Sequence, residues 1–162
     1  ADVCMRYRVM VDIMAEDALS ASTAWLAAGA AEVVVHTTEL EVLRAITDMR
    51  IQYGATVYIA IADDADISKL APCIEIVDGV QVMGIHAIGQ QGAPASQQTK
   101  RTVQAVREAY PDLPIVVDGS VNEATLPALG AAGATDFVVG SALQKSDDQI
   151  GTYTYLQQLA RQ

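Results

Sequence analysis

Residues 114–120 have the sequence Pro-Ile-Val-Val-Asp-Gly-Ser, and residues 137–143 have the sequence Phe-Val-Val-Gly-Ser-Ala-Leu. Each stretch contains an apolar run rich in β-branched residues, which is typical of a strand buried on both faces. A Gly-Ser pair follows each run, where the chain can turn into a helix. Similar runs recur, and they predict six strands, at residues 8–13, 32–36, 56–61, 79–85, 114–117 and 135–139.

The stretches between the predicted strands are rich in Ala and Leu and have the apolar spacing of helices. Two helical stripes stand out. The first comprises Ala18, Ala21, Ala24 or Trp25, and Ala28. The second comprises Leu40, Leu43, Ile46 or Thr47, and Arg50. Strand and helix alternate six times, which predicts a parallel α/β sheet, either doubly wound or closed as a barrel. No linker or charge block marks a second domain, so we expect residues 1–162 to form a single domain.

The composition narrows the classes of partner. The chain has 162 residues, of which 51% are hydrophobic, and a formal net charge of −10. A negative surface repels nucleic acid and acidic membranes, so neither is an expected partner. The two cysteines, Cys4 and Cys73, are too few for a disulfide framework. This cysteine usage predicts a cytoplasmic protein in a reducing compartment.

Two Gly-Ser pairs, Gly119-Ser120 and Gly140-Ser141, follow the fifth and sixth predicted strands. At such a turn, backbone N–H groups and the positive end of a helix dipole can bind a phosphate. Barrel enzymes often hold phosphate after their last two strands, so we predict a phosphate site here. The loop that contains Gly89 and Gly92 is a further candidate for this site.

Four other residues lie near the carboxyl ends of predicted strands, and the pattern alone leaves their roles open. Asp118 is either a general acid/base at the rim of the apolar core or an acceptor of N–H bonds from its own glycine turn. His36 is either a ligand or a structural histidine. Met14 and Met83 either fill the core or line a pocket.

Taken together, these segments resemble the ribulose-phosphate 3-epimerase family, whose fold is a TIM (βα)8 barrel. The resemblance rests mainly on residues 116–122 and 137–143, with support from residues 82–85 and the Gly89–Gly92 loop. It extends to residues 12–17, and to His36 and Glu39, which are similar to a His-x-x-Glu pattern of the family. It therefore implies a TIM-type barrel of which about six βα units are present here.

The resemblance also implies an activity, the inversion of C3 in a ketopentose 5-phosphate through an enediolate, as between ribulose 5-phosphate and xylulose 5-phosphate. Asp118 and Asp2 are its two implied acid/base carboxylates. The implied phosphate-binding residues are Gly89, Gly92, Gly119, Ser120, Gly140 and Ser141, and the implied pocket-lining residues are Met14, Met83 and His36. The implied partner is a small sugar phosphate.

Many members of the family hold a divalent metal ion, and the resemblance implies Asp2, Asp12 and Asp118 as its ligands here. Asp12 stands where the family has a metal-binding histidine. Carboxylates favour a hard ion such as Mg²⁺ or Mn²⁺ over Zn²⁺ or Fe²⁺. An aspartate in place of the histidine is equally compatible with a site that holds no metal.

Two other functions remain open. One is that of a hexulose-phosphate synthase or decarboxylase of the same superfamily, because Asp12 and Asp17 fit its Asp-x-Lys-x-x-Asp pattern. Met14 replaces the lysine of that pattern, which removes a cation that stabilises the developing charge. The other is non-catalytic binding of a phosphosugar.

The length is short of the roughly 200 residues at the low end for an eight-stranded barrel. Ala1-Asp2-Val3-Cys4 resembles the start of the family's second strand, yet residues 4–8 are too few for a crossover to the next strand. Either the match is due to chance, or a stretch is missing from the sequence around Cys4 and Met5, and we favour the missing stretch. A barrel that lacks strands exposes sheet edges, so a homo-oligomer is among the expected partners.

Overall fold

The computed structural model describes residues 2–84 and 97–161, in which helices and strands alternate. The helices are α1 (Asp2–Arg6), α2 (Ala18–Ala27), α3 (Leu40–Tyr53), α4 (Ile67–Ile74), α5 (Gln97–Ala109), α6 (Leu126–Ala131), α7 (Ser141–Gln144) and α8 (Gln149–Leu159). The strands are β1 (Met10–Ile13), β2 (Glu32–Val35), β3 (Thr56–Ala62), β4 (Gly79–Met83), β5 (Ile115–Asp118) and β6 (Asp136–Val138). All six predicted strands are confirmed.

The six strands are hydrogen-bonded in chain order, from β1 to β6. The pairs β1–β2, β2–β3 and β5–β6 are parallel, with Ile13 opposite Val35, Val35 opposite Ile59, and Asp118 opposite Val138. Parallel neighbours need a crossover, and here each crossover contains a helix. The predicted α/β alternation is therefore present.

The chain divides into two compact units. Unit 1 comprises residues Ala1–Ala60 and Ser68–Val80, and unit 2 comprises residues Ile61–Ile67 and Gln81–Gln162. The boundary passes through strands β3 and β4.

The core of unit 1 is built on β2, in which Val33, Val34 and Val35 are fully buried. A strand covered on both faces has no polar face, which explains the unbroken apolar run in the sequence. Helix α3 contributes Leu43 and Ile46, both fully buried. Each contributes about 1.5–3 kcal/mol by leaving water.

The predicted apolar stripe of α2 has the wrong phase. The buried residues of this helix are Ala18, Ser22 and Leu26, whereas Trp25 is 46% exposed. An alanine-rich helix offers little contrast between its faces, so the spacing alone does not fix which face is buried.

The predicted strand at residues 1–4 is also wrong, because Asp2–Arg6 form helix α1. The helix runs without interruption through Cys4 and Met5, and the Tyr7 N–H donates to the Val3 carbonyl at 3.0 Å. The missing stretch between Cys4 and Met5 stays a prediction.

In unit 2, β5 buries Ile115, Val116 and Val117. Helix α6 supplies Leu126 and Leu129, both 2% exposed. Strand β5 and helix α6 therefore both contribute buried apolar residues to unit 2.

Arg107, near the end of α5, binds backbone carbonyls of two loops. Its Nε and Nη2 donate to Gly133 O, at 3.1 and 2.8 Å, and its Nη1 donates to the carbonyls of Tyr110 and Pro111. These loops precede β5 and β6. The guanidinium thus fixes the amino-terminal ends of two neighbouring strands.

Within residues 2–84 and 97–161, the helices are too short or too polar to cross a membrane.

Candidate functional site

The first group of predicted site residues lies at the carboxyl ends of β1 and β2, in unit 1. We call Asp12, Met14 and His36 the β1–β2 rim. His36 Nε2 donates to Asp12 Oδ1 at 2.6 Å, and the two side chains are 22% and 27% exposed. Because Ile13 is paired with Val35, the parallel register brings the residues that flank this pair close together.

A cleft of about 670 Å³ opens beside the β1–β2 rim within unit 1. Met14, His36 and Glu39 line it, together with Glu16 and Asp17. Met14 is 54% exposed, so it is not a core residue. Met14 and His36 thus lie on one cleft, as a pocket-lining role requires.

Asp17, by contrast, is committed to helix α2. Its carboxylate accepts the Ser20 hydroxyl at 2.6 Å and the Ser20 backbone N–H at 2.9 Å, so Asp17 is the N-cap. These bonds, the hydroxyl first, lower the pKa of Asp17. The carboxylate is therefore ionised and engaged in capping.

The second group lies in unit 2, where Asp118, Gly119 and Ser120 form what we call the β5 turn. Asp118 is the last residue of β5 and is half-buried. Gly119 has φ +107°, a conformation that favours glycine, and Ser120 has φ +59°. A left-handed serine costs on the order of 1 kcal/mol, so its surroundings must hold it in place.

Gly84, directly after β4, packs against the β5 turn. Its N–H donates to Asp118 O at 2.6 Å. A Cβ on residue 84 would lie 2.3 Å from Gly119 O, a distance that atoms do not tolerate. Only glycine therefore allows the ends of β4 and β5 to come so close.

The carbonyl of Ser120 accepts two side-chain donors. Asn122 Nδ2 lies 3.2 Å and Thr125 Oγ1 2.7 Å from this oxygen. Asn122 Oδ1 in turn accepts the N–H groups of Ala124 and Thr125, at 2.9 and 3.2 Å. Asn122 therefore forms a side-chain turn ahead of α6.

The second Gly-Ser pair follows β6, the parallel neighbour of β5. Gly140 is the N-cap of α7, and its carbonyl accepts the N–H groups of Leu143 and Gln144, at 3.0 and 3.1 Å. A Cβ on Gly140 would meet open space. The two Gly-Ser pairs thus follow neighbouring strands of unit 2, as the phosphate prediction requires.

Met83, the other predicted pocket methionine, is 7% exposed. The side-chain amide of the buried residue Gln81 donates to its sulfur at 3.4 Å. Met83 therefore packs as a core residue beside the end of β4. Its pocket-lining role stays a prediction.

Some predicted site residues lie outside the described part of the chain. They are Gly89, Gly92 and the side chain of Asp2. The sequence interpretation missed the contributions of Gly84 and Thr125. The Met-Gly pair at the end of a buried run was the available signal for Gly84, since glycine in that place marks a close backbone approach.

The described residues do not fit the expected divalent ion. Across residues 2–84 and 97–161, no three His, Cys, Asp or Glu side chains lie close enough to share one ion. Asp12 and His36 are hydrogen-bonded to each other, so each of these two potential metal ligands is directed at the other. The ligand set Asp2, Asp12 and Asp118 stays a prediction, and no step below passes through a metal.

Comparison with known proteins gives two kinds of likeness by sequence. The family model described as "Ribulose-phosphate 3 epimerase family" matches residues 3–144. A ribulose-phosphate 3-epimerase of Eremothecium gossypii is 29% identical over 102 residues, which are 63% of this chain and 42% of that protein. The matched stretch thus spans less than half the length of this relative.

Solved structures share the fold at low identity. A 3-hexulose-6-phosphate synthase of Salmonella typhimurium superposes with a TM-score of 0.80 at 18% identity, covering 99% of this chain and 76% of that one. A phosphoribosyl anthranilate isomerase of Thermococcus kodakaraensis superposes with a TM-score of 0.71 at 16% identity, covering 99% and 79%. The fold is therefore the α/β fold of TIM barrels, represented here by six βα units.

Proposed function

Since this chain belongs to the ribulose-phosphate 3-epimerase family, we propose that it epimerises a ketopentose 5-phosphate at C3. Asp118 is the residue that takes up or returns the C3 proton. The Gly119-Ser120 and Gly140-Ser141 pairs bind the phosphate of the same substrate.

One observation carries this proposal: a half-buried carboxylate at the end of β5 stands directly before a Gly-Ser turn and beside a second one. Asp118 is paired with Val138, and Gly140-Ser141 begin two residues beyond Val138. A carboxylate acid/base and a phosphate-binding pair are the two elements that proton transfer on a sugar phosphate needs. The proposal assigns both roles to residues at the ends of two neighbouring strands of unit 2, β5 and β6.

The proposed chemistry is a pair of proton transfers. One carboxylate removes the C3 proton, and the electron pair moves toward the C2 carbonyl to form an enediolate. A second acid then returns a proton to the opposite face of C3, which inverts that centre. Asp118 performs one of these two transfers.

The β1–β2 rim argues against the aldolase or decarboxylase alternative. Met14 carries no charge at the position of the lysine, and Asp17 is engaged as the N-cap of α2. Two of the three charged groups of that pattern are thus absent or occupied by a structural role. The epimerase is the better supported of the two enzymes.

Incubation with ribulose 5-phosphate in D₂O, followed by NMR of the sugar, tests the proposal. Deuterium at C3 together with xylulose 5-phosphate is the expected result. Condensation that depends on added formaldehyde would replace the epimerase with the synthase. Substrate that binds but keeps its C3 proton would identify a non-catalytic phosphosugar-binding protein.

A further inference from the structure

Ser120 stands where the resembled family has a second glycine, and it keeps the backbone conformation that a glycine would adopt. Its φ is +59°, and it is the one non-glycine with positive φ in the described part of the chain. Such strain persists only where surrounding contacts hold the residue, and it is often found at functional sites. The contacts of Ser120 therefore indicate what its side chain contributes.

The hydroxyl of Ser120 donates to Gly84 O at 3.3 Å, across from β5 to the end of β4. Gly84 in turn donates its N–H to Asp118 O at 2.6 Å. Gly84 is thus bonded to the β5 turn through both its backbone N–H and its backbone C=O. The two bonds together join the end of β4 to the backbone on either side of Gly119.

The opposite side of Ser120 is held as well. Its carbonyl accepts Asn122 Nδ2 and Thr125 Oγ1, which belong to the turn before α6. The hydroxyl reaches toward β4, and the carbonyl is fixed toward α6. Ser120 therefore connects the end of β4 to the turn before α6.

We propose that Ser120 is a positioning residue, whose hydroxyl bond to Gly84 O holds the Asp118 carboxylate in place for proton transfer. This inference rests on the proposed function of Asp118. It assigns the Ser120 hydroxyl to the β4–β5 junction, and it leaves phosphate binding to the backbone of the turn. A carboxylate displaced by about 1 Å can lose on the order of 100-fold in rate, so one such bond has a measurable effect.

The Ser120→Gly variant tests the proposal, because glycine removes the strain and the hydroxyl together and should fold at least as well. We expect kcat for ribulose 5-phosphate to fall about 10- to 100-fold, with KM and the Kd of inorganic phosphate within about twofold of wild type. Ser120→Asn should recover most of kcat, because asparagine tolerates this conformation and carries a donor. Ser146→Ala is the matched control, since it removes a hydroxyl that bonds Thr152 near the start of α8.

Two outcomes overturn the proposal. Full kcat in Ser120→Gly would show that the hydroxyl bond is dispensable. A raised KM and weaker phosphate binding at unchanged kcat would make the hydroxyl a phosphate ligand instead.

Hydrogen exchange of the Gly84 amide separates this proposal from the proposed function. If the wild-type protein does not exchange the C3 proton, the proposed function fails, whatever the variants show. Faster exchange of the Gly84 amide in Ser120→Gly, by tenfold or more, would still support the holding role of Ser120. An unchanged amide rate would overturn that role independently of any activity.

Discussion

The β1–β2 rim and the β5 turn both lie at the carboxyl ends of parallel strands, but different parts of the chain hold them together. At the rim, one bond between two partly exposed side chains joins Asp12 to His36. At the turn, the backbone of Gly84 contacts Asp118 and Gly119 so closely that a Cβ has no room. The rim depends on side-chain chemistry and the turn on backbone geometry.

This difference bears on where the sequence departs from the resembled family. A side-chain pair can be exchanged for another at small cost, and the departure at Asp12 is of that kind. A close backbone approach admits few residues, and Asp118-Gly119 keeps the family pattern there, whereas Ser120, the next residue, departs from it but keeps a glycine-like backbone conformation. Four experiments test this contrast, from the largest expected effect to the smallest.

Replacing Asp118 with asparagine removes the proposed acid/base and leaves the backbone bond from Gly84 in place. We expect the rate of C3 proton exchange to fall by about 10²–10⁴-fold, because that is the usual contribution of a positioned acid or base. The rate is measured by NMR in D₂O. Asp112→Asn, in the exposed loop before β5, is the control and should keep the wild-type rate. A loss smaller than tenfold in Asp118→Asn contradicts the assignment.

Gly84→Ala forces a Cβ against Gly119 O, so the ends of β4 and β5 must separate. We expect the free energy of unfolding in urea to fall by about 1–3 kcal/mol. Gly130→Ala in α6 is the matched control, because its Cβ would lie 3.8 Å from Phe137, an ordinary contact. Alanine is a better helix former than glycine, so the free energy of unfolding of Gly130→Ala should rise slightly, by up to about 1 kcal/mol. Equal effects of the two variants would show that the junction is not tight.

A double-mutant cycle with Asp12→Ala and His36→Ala measures the pair at the β1–β2 rim. The side chains are 27% and 22% exposed, so we expect a coupling free energy of about 0.5–1 kcal/mol. Urea unfolding of the four proteins gives this value. A coupling free energy above 2 kcal/mol would show that the Asp12–His36 pair is as costly to replace as the Gly84 contact at the β5 turn, and it would remove the contrast between the two regions.

Asp17 gives the smallest effect, and it depends on pH. The bonds from Ser20 lower its pKa in the folded state, so the cap stabilises the protein above the ordinary value of about 3.9. That stability is lost as the pH falls through the lowered pKa. The difference in unfolding free energy between wild type and Asp17→Asn should therefore shrink as the pH falls below about 4. A difference that stays constant from pH 6 to pH 3 would contradict the role of the ionised cap.

Local patterns were sufficient to predict the six strands. A strand covered on both faces must be apolar at every position, so runs such as Val33-Val34-Val35 stand out in any sequence. The same logic failed in α2, where alanines on all sides hide the buried face and Trp25 is exposed. At residues 1–4 the strand was implied by the family resemblance and not by an apolar run, and residues 2–6 form helix α1 instead.

The β5 turn could be predicted only in part. The Gly-Ser pair after a strand marks a turn, but the sequence does not show that serine adopts a left-handed conformation there. That conformation depends on Gly84, which is 36 residues away in the chain. Likewise, the bond between Asp12 and His36 depends on the register of two strands, which neither residue signals by itself.

Arg107 restricts substitution at the amino-terminal ends of β5 and β6. Its fork of donors ties the loops before β5 and β6 together through their carbonyls, at the ends away from the proposed chemistry. Lysine cannot reproduce a planar fork, so this anchor has no close substitute. In a directed-evolution experiment toward a new phosphosugar, substitutions of Arg107 should therefore be eliminated, even though this residue lies away from the proposed chemistry.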